Sequence, residues 1–148
     1  MEQAVSKVIV LAFAAVLIAL VAMLPCAPSK HADSPAKMQE RVAHGKYLVE
    51  AIAGCNDCHS QHDERGNLVE AKRLKGSPIL FKPTVDTPGW AATAPAVAGL
   101  PGWTEQQGIE FLMTGKTVNG VPAGPPMPEF RMNREDAAAV VAYLKSLK

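Results

Sequence analysis

A long stretch of this chain, from Gly76 to Pro128, is crowded with glycine and proline and shows little apolar periodicity. Such a stretch predicts loop in place of regular structure. The chain has 148 residues, of which only 5% are aromatic. A small domain with so much loop has difficulty burying enough apolar surface to offset the loss of chain entropy. We therefore expect a large apolar prosthetic group to complete its core.

Length and charge exclude several classes of protein. The chain has room for one modest domain, which excludes a multidomain enzyme. The 15 Lys and Arg residues nearly balance the 14 Asp and Glu residues, for a formal charge of +1. Because this balance offers no basic surface, we expect no nucleic acid among the partners.

The amino-terminal segment predicts insertion into a membrane. Residues 8–24 are uninterruptedly apolar and follow the positive charge of Lys7. As a helix this run would extend about 26 Å, close to the ~30 Å hydrocarbon core of a bilayer. We expect residues 1–29 to be a retained anchor or a cleaved signal, with retention favoured because prolines flank the cleavage position. Residues 30–40 would form a tether and residues 41–148 a domain outside the cytoplasm.

The cysteine at the end of the apolar run has two interpretations. Cys26 lies where a lipid-modified cysteine would lie, although Pro25 fits that signal poorly. The simpler interpretation is a small apolar residue at the end of a membrane helix.

Three helices are predicted in the domain, and strands are hardly signalled. The first runs from about Ala36 to Ile52, the second is capped by Thr104 and ends at Gly115, and the last is capped by Asn133. The predicted apolar face of the first helix comprises Val42, Tyr47, Leu48, Ala51 and Ile52. That of the last comprises Val140, Val141 and Leu144. The fold class is therefore predicted to be all-α.

The sequence Cys55-Asn56-Asp57-Cys58-His59 has the C-x-x-C-H spacing of covalent haem attachment. Two thiols three positions apart on a helical turn can reach the two vinyl groups on one porphyrin edge, and the following imidazole then reaches the iron. A zinc site would need a second ligand pair that the sequence lacks downstream, since His62 is the last histidine. A redox dithiol would need a βαβ context. A disulfide would leave His59 unexplained.

The best candidate for a second axial ligand of the haem iron is a methionine. Met127 lies in Gly124-Pro125-Pro126-Met127-Pro128, where prolines restrict the backbone and hold the thioether ready. His44 and His62 are the alternatives. Met113 falls on the apolar face of its helix, and Met132 lies beside the cap of the last helix.

These motifs and their order resemble the class I cytochromes c over residues 41–148. The matching segments are Gly45-Lys46-Tyr47-Leu48, the Cys55–His59 motif, Ala94–Leu100, Pro126-Met127-Pro128 and Ala142-Tyr143-Leu144. The resemblance implies the class I cytochrome c fold, with helices and long Pro/Gly-rich loops wrapped around one covalent haem c. The membrane helix would precede this fold.

The resemblance also implies roles for individual residues. Gly45 and Tyr143 would be the pair at which the first and last helices approach closely. The Pro95 carbonyl, or alternatively that of Pro78, would accept the hydrogen of the His59 imidazole, which strengthens the ligand. Val97 and Leu100 would pack on the porphyrin, and Trp90 or Trp103 would donate to a haem propionate.

The function implied is electron transfer without catalysis, by a free carrier or by a subunit of a dehydrogenase or oxidase complex. With His59 and Met127 both bound to iron, no position is open for oxygen or peroxide. The expected partners are a dehydrogenase, a quinol-oxidising complex, an oxidase or a soluble cytochrome, at the periplasmic side of the membrane. A haem enzyme or gas sensor, with Met127 unbound, is the competing hypothesis.

Overall fold

A computed structural model describes residues 33–147 of the chain. The predicted anchor at residues 8–24, Cys26, and the first residues of the tether lie outside the described part. Within residues 33–147, no helix is long and apolar enough to cross a membrane.

Most of the regular secondary structure in the described part of the chain is helical, as predicted. Its α-helices are α1 (Pro35–Tyr47), α2 (Cys55–His59), α3 (Glu105–Thr114) and α4 (Arg134–Ser146). A π-helical segment, Leu48–Ile52, continues α1, and a 3-10 turn covers Glu70–Lys72. Two-residue strands, β1 (Ser77–Pro78) and β2 (Thr93–Ala94), pair antiparallel. Because α1 begins at Pro35, it occupies part of the segment 30–40 that the sequence predicted as a tether.

Side-chain caps define where the helices begin, because a short polar side chain can satisfy an otherwise unpaired amide of the first turn. Thr104 and Gln107 form a reciprocal capping box at α3. The Asn133 side chain accepts the amide hydrogen of Asp136 at 2.9 Å. Gly115 ends α3 with a φ of 70°, a left-handed conformation that glycine adopts without strain. These three predicted caps are confirmed.

The prediction for the apolar face of the first helix was wrong in part. Tyr47 and Ile52 are largely exposed, whereas Val49, which the periodicity omitted, is fully buried. Tyr47 precedes the π-helical segment and lies off the face that carries Gly45 and Val49. The exposure of Ile52 follows from that segment, in which the Ala53 amide donates to the Leu48 carbonyl at 2.8 Å. One extra residue in this turn shifts the helical register, so a 3.6-residue pattern no longer predicts the buried face.

The core lies where α1 and α3 pack against α4. It comprises Val49, Leu74, Leu112, Ala137, Val140, Val141, Tyr143 and Leu144. The closest approach of α1 to α4 is at Gly45, where a Cβ atom would overlap the Ala139 carbonyl and lie 2.9 Å from the Tyr143 Cβ. The predicted pairing of Gly45 with Tyr143 is confirmed. No other residue type fits this contact without separating the two helices.

We predict that Gly45→Ala lowers the free energy of unfolding by about 1–3 kcal/mol, although alanine favours helix, because overpacking separates α1 from α4. Chemical denaturation of the haem-loaded protein measures the change. Lys46→Ala on the exposed side of α1 is the control and should stay within about 0.5 kcal/mol of the wild type. Equal stability of Gly45→Ala and the wild type would contradict the close approach.

Candidate functional site

All seven residues that the sequence singled out for a site line one cleft of about 670 Å³. This volume is in the usual range for a ligand or cofactor pocket. The seven are Cys55, Cys58, His59, Pro95, Val97, Leu100 and Met127. Most other lining residues are apolar, including Leu112, Phe111, Phe130, Val140, Val141 and Leu144. The cleft therefore suits a large, mainly apolar group whose reactive atoms lie near the thiols and the imidazole.

The turn before the motif aims both cysteines at this cleft. Gly54 adopts a left-handed conformation, with a φ of 59°, and α2 begins at the next residue. Only glycine adopts this conformation freely, so the chain can turn sharply from the π-helical segment into α2. Cys55 and Cys58 are then one helical turn apart on the cleft wall.

The Cys55 thiol has an environment unlike that of a redox dithiol. Burial raises its pKa to about 11, and the nearby Asp57 carboxylate acts in the same direction. A dithiol oxidoreductase needs the opposite shift, since the thiolate is the reactive species. This finding disfavours the dithiol alternative. The zinc alternative also lacks support, because no three His, Cys, Asp or Glu side chains cluster as a metal site between residues 33 and 147.

The His59 imidazole is held in one orientation. It is only 6% exposed, and its Nδ1 lies 2.8 Å from the Pro95 carbonyl oxygen. A carbonyl can only accept, so Nδ1 carries the hydrogen and Nε2 keeps a free lone pair. The side chain is therefore prepared to bind a metal ion through Nε2.

A short strand pair explains how Pro95 reaches His59 across 36 residues of sequence. Ser77 pairs with Ala94 and Pro78 with Thr93, so the loop of residues 79–92 is closed at its base. Gly76 then lies against Pro95 and Ala96, where an added Cβ would be 3.0 Å from the Ala96 nitrogen. Although Pro78 was the alternative acceptor, the carbonyl that contacts His59 belongs to Pro95.

The methionine loop is supported by a segment that sequence reasoning missed. The Ala91 amide donates to the Pro125 carbonyl at 2.7 Å, and a Cβ on Gly124 would lie 3.0 Å from the Gly89 carbonyl oxygen. Residues 89–91 thus back the loop that carries Met127. No local sequence pattern predicts this contact, because the two segments are more than thirty residues apart in the chain.

The alternative ligands lie elsewhere. His44 pairs with Asp136 at 2.8 Å on the surface, and His62 is exposed. Met113 and Met132 pack against the core and do not line the cleft. Of the two tryptophans, Trp103 lines the cleft and stacks edge-to-face on Phe111, whereas Trp90 contacts Phe81.

Fold and cleft together define a c-type haem protein, with two thiols and a prepared imidazole on the wall of an apolar cavity. The family model for cytochrome c matches residues 42–148. The chain therefore belongs to the cytochrome c family, which binds haem c covalently through the C-x-x-C-H motif, here Cys55, Cys58 and His59. Membership also assigns it to haem-mediated electron transfer.

Three curated relatives are redox proteins or their subunits. The chain is 28% identical over 111 residues to a fructose dehydrogenase cytochrome subunit from Gluconobacter japonicus, covering 70% of this chain and 21% of that protein. It is 34% identical over 111 residues to a nicotinate dehydrogenase subunit from Pseudomonas putida, covering 70% and 9%. It is 29% identical over 107 residues to a diheme cytochrome c-type protein from Cereibacter sphaeroides, covering 68% and 33%. The chain thus spans a third or less of each relative.

A charged network links α4 to the chain segments around Glu50 and Arg73. The Tyr143 hydroxyl donates to a Glu50 carboxylate oxygen at 2.5 Å, and Arg73 donates to the same oxygen at 2.8 Å. Arg73 also donates to both oxygens of Glu70. Glu50 precedes the haem motif, Arg73 precedes Leu74, and Tyr143 belongs to α4. The network therefore joins three separate segments, and sequence periodicity gave no sign of it.

We predict that Tyr143 makes stability depend on alkaline pH. Burial and the Glu50 carboxylate raise its pKa from 10.0 to about 12. The folded protein therefore retains a proton that the unfolded chain loses, so this contribution is complete below about pH 10 and is lost as the pH rises through about 12. Urea unfolding of the reduced protein measures this effect. Between about pH 9 and about pH 11, the free energy of unfolding should fall more for the wild type than for Tyr143→Phe.

The matched control is Tyr47→Phe, which removes an exposed hydroxyl and should retain the wild-type pH dependence. If the wild type and Tyr143→Phe lost equal stability between these two pH values, the pKa of Tyr143 would not be raised by its surroundings.

Proposed function

We propose that this protein relays single electrons through one haem c, with His59 and Met127 as the axial ligands of the iron. The observation that carries the proposal is the convergence of Cys55, Cys58, His59 and Met127 on a single apolar cleft. The bound haem supplies one-electron chemistry, because its iron is stable as both ferric and ferrous ion. The protein holds the haem, fixes its ligands and limits the access of water.

His59 is suited to permanent ligation by its hydrogen bond to Pro95. The acceptor fixes the tautomer and the ring plane, and it increases the electron density at Nε2. Covalent attachment at the preceding Cys58 keeps the imidazole beside the iron through each redox cycle.

Met127 is proposed as the second ligand because it is the methionine that lines the cleft among the described residues. The neighbouring prolines restrict the loop backbone, and residues 89–91 brace it. Little ordering entropy is then lost when the thioether binds iron. A neutral methionine ligand in an apolar cleft also raises the reduction potential relative to two histidines.

The remaining lining residues receive supporting roles in the proposal. Val97 and Leu100 pack against the porphyrin, where their partly buried side chains already contact the core. Trp103 is proposed as the indole donor to a haem propionate, since it lines the cleft. Trp90 packs on Phe81 instead.

The proposed partners are other redox proteins, with a dehydrogenase as the donor most in keeping with the relatives. Two of these are by name dehydrogenase subunits. Ile52 and Leu80 are largely exposed and each adjoins a residue that lines the cleft, Ala53 and Ile79. This apolar edge beside the Cys55–Cys58 turn is the proposed docking face. Contacts between redox partners are small and transient.

The proposed location is the periplasmic side of the cytoplasmic membrane. The apolar sequence of residues 8–24 supports an anchor, and a cleaved signal with a soluble periplasmic domain is the alternative.

We predict a closed, methionine-ligated iron. The oxidised protein should show the weak near-infrared sulfur-to-iron band, and carbon monoxide should leave the spectrum of the reduced protein unchanged. Met127→His should abolish the band and lower the potential while haem stays covalently bound, because histidine stabilises the ferric ion more than a thioether does. Visible and near-infrared spectroscopy with a redox titration measures these effects.

Met113→Leu is the control, since Met113 packs on the core and should keep both the band and the potential when it is replaced. Immediate binding of carbon monoxide by the wild type would instead support a haem enzyme or gas sensor. An unchanged band in Met127→His would show that Met127 does not bind the iron.

We also predict that the amino-terminal segment anchors the protein. Expressed in full, the protein should stay in the membrane fraction after a high-pH wash, because an apolar run of this length partitions into the bilayer. Replacing residues 1–29 by a cleavable signal should release a soluble, haem-loaded domain. A full-length protein recovered in the periplasmic extract, or a truncated one that stayed with the membrane, would contradict the anchor.

A further inference from the structure

The hydrogen bond between His59 and Pro95 is one link in a closed ring. The Leu74 amide donates to the Ser60 hydroxyl oxygen at 2.7 Å, and the Val97 amide donates to the Leu74 carbonyl at 2.9 Å. Pro95, two residues before Val97, accepts from His59, and His59 is bonded covalently to Ser60. The ring therefore runs from the imidazole through Ser60, Leu74 and Val97 back to the imidazole.

Ser60 is the side chain that closes this ring. It is fully buried, and its hydroxyl donates to the Asn56 side-chain oxygen at 2.9 Å while it accepts from Leu74. With its hydrogen committed to Asn56, the hydroxyl oxygen presents its lone pairs to the Leu74 amide. Both polar functions of the hydroxyl are used, and neither is available to solvent.

Leu74 is held in a conformation that leucine rarely adopts. Its φ is 55°, in the left-handed region, and its side chain is fully buried. Such a conformation persists only where the surroundings determine it. Here the amide is fixed by Ser60, and the carbonyl accepts from both Val97 and Ala98, at 2.9 and 3.0 Å. Together with the β1–β2 pair, the direction of the Leu74 peptide groups thus determines where the segment carrying Pro95 lies.

We propose that Ser60 is a positioning residue for electron transfer: its hydroxyl fixes Leu74, Leu74 fixes the Pro95 segment, and the Pro95 carbonyl thereby stays within hydrogen-bond distance of His59. The inference rests on the proposed function, in which His59 ligates the iron. Through this ring, a side chain that touches neither haem nor iron adjusts the reduction potential.

The sign of the effect follows from the acceptor on the imidazole. A short Nδ1–H to carbonyl bond increases electron density at Nε2 and favours the ferric ion. Without the Ser60 hydroxyl, the buried Leu74 amide lacks an acceptor, so the Leu74 turn shifts and the bond from His59 to Pro95 lengthens. The ferrous ion is then favoured, and the potential rises.

The test compares the potentials of Ser60→Ala and Ser60→Thr with that of the wild type. Ser60→Ala should raise the equilibrium constant for reduction about tenfold, which for one electron is about 59 mV. Ser60→Thr keeps the hydroxyl and should restore the wild-type potential. Asn133→Ala removes the cap of α4, lowers stability and should leave the potential unchanged. A wild-type potential in Ser60→Ala, or an equal shift in Asn133→Ala, would overturn the inference.

A measurement on the wild type decides the matter if Ser60→Ala yields no haem-loaded protein. In the diamagnetic reduced protein, the His59 Nδ1 hydrogen and the Leu74 and Val97 amide hydrogens should exchange with the same opening free energy, because the ring opens as one unit. Rapid exchange of the imidazole hydrogen beside a protected Leu74 amide would refute the ring. Carbon monoxide binding tests the relay separately, since the comparison of potentials needs only His59 on the iron.

Discussion

The contact of α1 with α4 at Gly45 is the interaction on which the rest of the domain depends. Because no side chain separates the two helices there, α4 lies close enough for Tyr143 to reach Glu50 in the turn that precedes the haem motif. The same helix turns Val140, Val141 and Leu144 towards the cleft. One close approach therefore places both the helical core and one wall of the haem cavity.

The core and the cofactor cavity share half of the buried core residues. Leu112, Val140, Val141 and Leu144 belong to the buried cluster and also line the cleft. These side chains would face an open cavity of about 670 Å³ without a ligand. Apolar contacts with a haem replace that lost packing, which explains how a small, loop-rich chain forms an ordered domain. We therefore expect haem binding to contribute directly to the stability of the fold.

Sequence patterns predicted the features that depend on residues close together in the chain. The caps at Thr104 and Asn133 and the C-x-x-C-H motif depend on residues within one helical turn, so their patterns are legible in the sequence. The left-handed Leu74, the brace of residues 89–91 behind Met127 and the π-helical shift that exposes Ile52 depend on contacts with distant segments or on one extra residue in a turn. The family resemblance located Pro95, but only the paired strands show how a long loop leaves it beside His59.

Those paired strands also allow the loop between them to vary in length and sequence. Ser77 and Ala94 hold the two ends of the 79–92 segment together, so lengthening its middle costs only a small additional closure entropy. Within this segment, Leu80 and Val85 have side chains that are largely exposed. An evolving lineage could exchange the part of the segment around Val85 to suit a new electron donor, while residues 89–91 kept their contacts with the Met127 loop and the redox centre stayed unchanged. For the protein engineer, the middle of this loop is a natural grafting position for a peptide or an electrode linker.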